Sequence, residues 1–146
     1  VGFAFVTLHI GLDTFQPIAE ETVEAHHIHT EYCVVPPETV QAVEKARAAG
    51  GRVIAVGTTA VRSLESAANL KHETWNVEPF AGHTSLYITP GYQYRVVDAM
   101  ITNFHLPRST LLCLVSAFTG KERMDAAYRE AIRLGYRFYS FGDANG

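Results

Sequence analysis

The run Arg52-Val53-Ile54-Ala55-Val56-Gly57 constrains the fold more than any other. Its β-branched residues read as a buried strand. Gly50-Gly51 stops a helical pattern just before it, and Thr58-Thr59 leads into another just after it. Helix, strand and helix in such close succession predict an α/β chain.

The remaining punctuation agrees. Residues 3–10 alternate with both faces largely apolar, which suits a central strand covered on both sides. Gly11 and Asp13 break that run into a loop, and Glu20, Glu21 and Glu24 follow on a loop or short helix. Residues 27–35 read as a second strand, and Pro36-Pro37 ends it and opens a helix over 38–49. A helix follows over 60–69, then a polar, irregular stretch over 70–83. Strands are expected at 84–89 and 95–103, separated by Pro90-Gly91. Helices are expected at 106–118 and 121–134, and a last strand at 136–141. The expected fold is a layered α/β domain with a mixed sheet.

Composition removes several classes. With 47% hydrophobic residues the chain is not disordered. No apolar run approaches the ~20 residues of a membrane span, and no charged segment with an apolar core opens the chain. No membrane partner is expected. Cys33 and Cys113 lack C-x-x-C spacing and read as reduced structural residues of a cytoplasmic protein. The net charge is −3, unevenly spread: residues 1–78 carry five basic and ten acidic groups, residues 79–146 seven basic and five acidic. Charge alone does not point to nucleic acid. The chain enters an apolar alternation within two residues of Val1, so it reads as a piece of a larger protein.

Three constellations can carry chemistry. The first is Gly57-Thr58-Thr59 between strand and helix, where unpaired N–H groups and a positive dipole end suit a phosphate or carboxylate. Arg62 falls one turn in, and Glu65, three residues on, is placed to orient it. The alternative is that Thr59 only caps the helix. The second is His26-His27-Ile28-His29-Thr30-Glu31. On a strand His27, His29 and Glu31 share a face, which invites acid–base chemistry, a metal, or plain structural hydrogen bonding. Alternate strand positions lie ~7 Å apart, so a metal is disfavoured. The third is Ile101-Thr102-Asn103-Phe104-His105-Leu106-Pro107-Arg108-Ser109-Thr110. Asn103 and His105 end a strand, where open α/β sheets place their ligand crevice, and Arg108 and Ser109 start a helix as a second anion seat. Phe138, Tyr139 and Phe141, with Asp143, offer either stacking surface or core packing.

Taken together in order, these segments resemble one family. They are Val6-Thr7-Leu8-His9-Ile10-Gly11 with Thr14-Phe15-Gln16-Pro17, His26 with His29-Thr30-Glu31-Tyr32, the run from Gly51-Arg52 to Gly57-Thr58-Thr59 with Arg62-Ser63-Leu64-Glu65, Tyr87 with Pro90-Gly91-Tyr92, the run from Asp98 to Ser109, and Tyr136-Arg137-Phe138-Tyr139-Ser140-Phe141-Gly142-Asp143-Ala144. The family is S-adenosylmethionine:tRNA ribosyltransferase-isomerase of bacterial queuosine biosynthesis. Against its pattern, Ala60 stands for a usual Ser, His83 for Trp and Thr89 for Tyr, Leu12-Asp13 is a variant pair, and Asn145-Gly146 does not continue an apolar tail.

The resemblance implies that residues 1–146 are the carboxy-terminal part of an α/β domain. It implies that the family's inserted β-barrel and amino-terminal segment lie outside these residues. It implies a monomer that takes tRNA and S-adenosylmethionine, the latter as substrate, with no separate cofactor or metal. The ribosyl group would pass to 7-aminomethyl-7-deazaguanine at the wobble position, giving epoxyqueuosine, adenine and methionine. Such chemistry needs titratable groups with separated pKa values, for which His29, Glu31, His105 and Asp143 are the candidates. Gly57, Thr58, Thr59 and Arg62 would hold the methionine carboxylate or an RNA phosphate. Asn103 and Ser109 would line the crevice, Arg108 would meet the anticodon backbone, and Tyr92 or Tyr139 would stack on a flipped base. A metal-dependent hydrolase built on the His26–Glu31 segment, or a non-catalytic nucleotide- or tRNA-binding module, are the other readings.

Overall fold

The computed structural model describes residues 1–11, 28–71, 74–141 and 143–146. The Leu12-Asp13 pair, Thr14-Phe15-Gln16-Pro17, the acidic group at Glu20, Glu21 and Glu24, His26, His27 and Gly142 lie outside the described residues.

Among the described residues the order is β1 (Thr7–His9), β2 (Glu31–Val35), α1 (Pro37–Ala48), β3 (Ile54–Val56), α2 (Thr58–Ser66), β4 (Ala68–Lys71), β5 (Thr74–Val77), β6 (Phe80–Thr84), β7 (Ala99–Asn103), α3 (Thr110–Thr119), α4 (Lys121–Leu134) and β8 (Ala144–Asn145). The α/β class is as expected. One sheet is antiparallel in the order β1-β2-β6, and a second, in the order β3-β7-β8, is mixed. In it β3 pairs parallel with β7, and β8 antiparallel with β7. A hairpin, β4-β5, makes a third. None of these sheets closes into a barrel.

Helix α2 touches β1 and β2 of one sheet and β3 and β7 of the other. It is therefore buried on nearly every side, including Val61, Arg62, Ser63, Leu64 and Glu65, as befits a helix with no solvent face. Val61 and Leu64 join Val35, Ala55, Met100 and Leu114 in the main core. Pro37 starts α1 at its first turn, where a missing N–H costs nothing.

Several local expectations are corrected. The first strand shrinks to Thr7–His9 and is an edge, not a central strand; Phe3 and Phe5 are exposed. Residues 70–83 are not an irregular loop. Much of the stretch is hairpin and β6, because Val77 enters the core and the Arg47 guanidinium donates to the Trp75 carbonyl at 3.0 Å. The strand expected at 84–89 ends at Thr84. The strand at 52–57 is buried on one face only: Ala55 is inside, while Ile54 and Val56 lie exposed beside Ile101. Helix α3 starts at Thr110 rather than Leu106. Residues 136–141 form no strand. Their aromatic rings pack instead, Phe138 and Tyr136 each with the ring centroid 5.6 Å from that of Phe104.

Candidate functional site

The parallel strands β3 and β7 end side by side, and the chain leaves β3 through Gly57 into α2. Gly57 has φ +91° and ψ 146°, a conformation essentially restricted to glycine. Its N–H donates to the Ile101 carbonyl at 2.8 Å, which ties the start of α2 to β7. Among the described residues no side chain caps α2. The alternative that Thr59 only caps this helix is therefore not met, and the first-turn N–H groups are left without a side-chain partner among those residues.

A cavity of about 310 Å³ opens here. Gly57, Thr58 and Thr59 line it with Arg62 from α2, Glu31 from β2, and Asn103 and His105 from the end of β7. Leu8, Ile10 and Leu111 supply apolar wall, and Tyr139 and Ser140 reach in from the carboxy-terminal segment. The volume lies at the lower end of the ~300–1,000 Å³ of small-molecule sites.

Its charges are deeply placed. Arg62 is 4% exposed and Glu31 3%. Arg62 Nη1 donates to Glu31 Oε2, and Arg62 Nε to the Leu86 carbonyl at 3.3 Å. Glu31 Oε1 accepts from the Gly11 N–H at 3.2 Å. Arg62 Nη2 is buried and has no hydrogen-bond partner among the described residues. Breaking such a pair from one side is costly, because the other charge stays buried.

Glu65 does not orient Arg62. Its carboxylate points the other way and accepts from the backbone N–H groups of Arg95, Val96 and Val97 at 2.9–3.2 Å and from the Tyr92 hydroxyl at 3.0 Å. Tyr92 is thereby bound into the packing, edge-on to Tyr94 at 5.2 Å, and does not line the cavity. Burial, then the neighbouring Glu65 charge, holds its hydroxyl proton well above the ordinary range.

His105 is 6% exposed. Nε2 lies 3.0 Å from the Thr102 hydroxyl, and the backbone N–H donates to the Tyr128 hydroxyl at 2.8 Å. Burial pushes its pKa down from 6.5 to about 4, so the ring is neutral near pH 7. The Asn103 amide donates to the Tyr139 carbonyl, and the Tyr139 N–H donates to the Phe104 carbonyl at 2.9 Å. These bonds hold Tyr139 at the cavity with φ +62°, a strained backbone for a non-glycine residue.

The other candidates lie elsewhere. His29 is exposed ahead of β2, so the shared strand face with Glu31 does not form; His27 is outside the described residues. Among the described residues no three His, Cys, Asp or Glu side chains converge on a metal position. Ser109 caps α3, accepting from the Leu112 N–H at 3.1 Å and donating to the Leu106 carbonyl at 2.8 Å. Arg108 precedes that cap with φ +57° and is exposed, so neither residue lies in the first turn of the helix as expected. Asp143 accepts from Arg137 at the surface, which lowers its pKa, and does not line the cavity. The partners of His105 are less legible: Thr102 lies in the 101–110 run three residues away, whereas Tyr128, 23 residues away, carries no local signal.

The fold and the cavity define an α/β chain with a cleft at the carboxyl ends of its parallel strands. Residues 1–145 match the queuosine biosynthesis protein family, and the chain belongs to that family. It is also similar to the crystal structure of S-adenosylmethionine tRNA ribosyltransferase from Thermotoga maritima, at 47% identity and a TM-score of 0.76 over 97% of this chain. The chain spans 43% of that relative's length.

Proposed function

We propose that this chain forms part of an enzyme that moves and isomerises the ribosyl group of S-adenosylmethionine onto 7-aminomethyl-7-deazaguanine in the tRNA wobble position. The products are epoxyqueuosine, adenine and methionine. The observation that carries this reading is the convergence, in one cavity, of an uncapped helix N-terminus, the Arg62–Glu31 pair and a neutral buried histidine.

Each part suits one demand of the chemistry. The sulfonium acidifies the adjacent 5′ hydrogens, and a neutral imidazole at His105 is in the form that accepts a proton. The α2 N-terminus and Arg62 hold an anionic end of a substrate, either the methionine carboxylate or an RNA phosphate. Tyr139, at the cavity and 42% exposed, offers a ring to a flipped base. Exposed Arg108 supplies a cation for the anticodon backbone. His29 and Asp143 lie outside the cavity lining, which leaves His105 and Glu31 as the candidates nearest the reacting atoms.

The test is adenine release from S-adenosylmethionine in the presence of tRNA, using His105→Ala and Glu31→Gln. Loss of a positioned general base lowers turnover ~10²–10⁴-fold. Unchanged turnover in both variants removes this cavity from the reaction.

A further inference from the structure

We propose that the N-terminus of α2 and the Arg62 guanidinium form a seat for the carboxylate of an α-amino-acid group, with Glu31 facing its ammonium. This rests on the S-adenosylmethionine reading above, since that substrate ends in such a group, and it decides between the two anions left open there.

Two independent sets of donors line the same cavity. Among the described residues the first-turn N–H groups of α2 have no side-chain cap, whereas Ser109 caps α3. Arg62 uses Nη1 on Glu31 and Nε on Leu86 but keeps Nη2 buried and unpartnered among the described residues. A buried guanidinium N–H without an acceptor is costly and calls for one from outside the chain, a ligand, an ion or a water. Helix N–H groups and a fork-shaped cation together match a planar, two-oxygen anion.

The surroundings select a carboxylate over an RNA phosphate. Thr58, Arg62 and Glu31 are all buried, so the seat is a dead end. A terminal carboxylate enters from one side, but a phosphodiester carries a ribose on each side and needs a through-going groove. Nucleic-acid contacts depend on surplus positive charge. Arg62 is the only Lys or Arg lining the cavity among the described residues, and Glu31 balances it. A zwitterion, by contrast, brings a negative end for the helix N-terminus and a positive end for Glu31. Leu8, Ile10 and Leu111 then line the methylene chain and the sulfonium. In this arrangement Glu31 meets the substrate ammonium and fixes the guanidinium, which leaves proton transfer to His105.

The test compares S-adenosylmethionine with its decarboxylated analogue by calorimetry on the full chain. The expected result is binding of S-adenosylmethionine tenfold to a hundredfold tighter than the analogue. Arg62→Lys, which keeps the charge and loses the fork, should weaken S-adenosylmethionine about tenfold and leave the analogue unchanged. Equal binding of the two ligands to the wild type overturns the seat while adenine release leaves the reaction standing. Equal binding combined with a loss of tRNA affinity in Arg62→Lys assigns the site to phosphate and also overturns it. If neither ligand binds and no adenine is released, the reaction reading falls and the seat with it. The two-ligand comparison on the wild type decides the matter even if Arg62→Lys fails to fold.

Discussion

Acidification should weaken this fold through His105. The ring is 6% exposed, with the Thr102 hydroxyl 3.0 Å from Nε2 and the Tyr128 and Phe104 rings close behind its backbone. Desolvation disfavours its charged form and lowers its pKa from 6.5 to about 4. Below pH 6.5 the unfolded chain therefore binds a proton that the folded chain refuses. Stability falls as pH drops from 6.5 towards 4 and levels off below that. At ~1.36 kcal/mol per pH unit the loss is about 2 kcal/mol at pH 5 and about 3 kcal/mol at pH 4. Those are large fractions of the ~5–15 kcal/mol that hold a domain together. Urea unfolding of the wild type and His105→Gln at pH 8 and pH 5 isolates the effect, because every other group titrates in both proteins. Glutamine keeps a polar end for Thr102 but takes no proton. Relative to the variant, the wild type should lose about 2 kcal/mol between the two pH values. A difference that stays constant over that range, or an imidazole that titrates by NMR near 6.5 in the folded protein, refutes the reasoning.

Glu65→Gln should destabilise the chain by about 3 kcal/mol, because an amide cannot satisfy three converging backbone donors and leaves at least one buried N–H unpaired. Thermal unfolding should shift down by roughly 6–12 °C, and a shift under 2 °C would show that the 95–97 segment is held by other means. Ser109→Ala removes the α3 cap and should cost about 1 kcal/mol. It should leave S-adenosylmethionine affinity unchanged, and calorimetry on the same variant checks that α3 is not a second anion seat.

What the residues disclosed was largely local. Strand 52–57, the glycine exit and the following helix were legible because β-branched residues, a glycine and a helical pattern sit within a dozen positions. The α1 start at Pro36-Pro37 and the α4 stop at Gly135, which has φ +74°, were legible for the same reason. The hairpin at residues 68–77 was not, because its composition is polar and its order comes from partners far along the chain. Arg47, on α1, reaches the carbonyls of Trp75, Arg95 and Val96 at 3.0 Å, and the Arg95 guanidinium sits 4.2 Å over the Trp75 ring. Aromatics at 136–141 suggested a strand through their propensity, but Phe104 and Tyr128 take the Tyr136 and Phe138 rings into a cluster, while Tyr139 lines the cavity and Phe141 is exposed.

The site shows why spacing alone misassigns charges on a buried helix. Arg62 and Glu65 sit three residues apart, and on an exposed helix that spacing brings opposite charges together. Helix α2 has no exposed face to do so: sheets lie on two sides of it, and both residues are buried. A buried charge must be satisfied by whatever its own direction meets. Glu65 meets three backbone N–H groups and becomes part of the scaffold, while Arg62 meets Glu31 from a strand 31 residues away. The cavity's carboxylate therefore comes from β2 and not from α2. That exchange makes the site dependent on the docking of one sheet against the other, since the guanidinium belongs to the helix between them and its partner to the antiparallel sheet. The helix N-terminus and His105 come with the mixed sheet. Anything that loosens the packing of β2 on α2 should thus disable ligand binding before it unfolds β3 and β7.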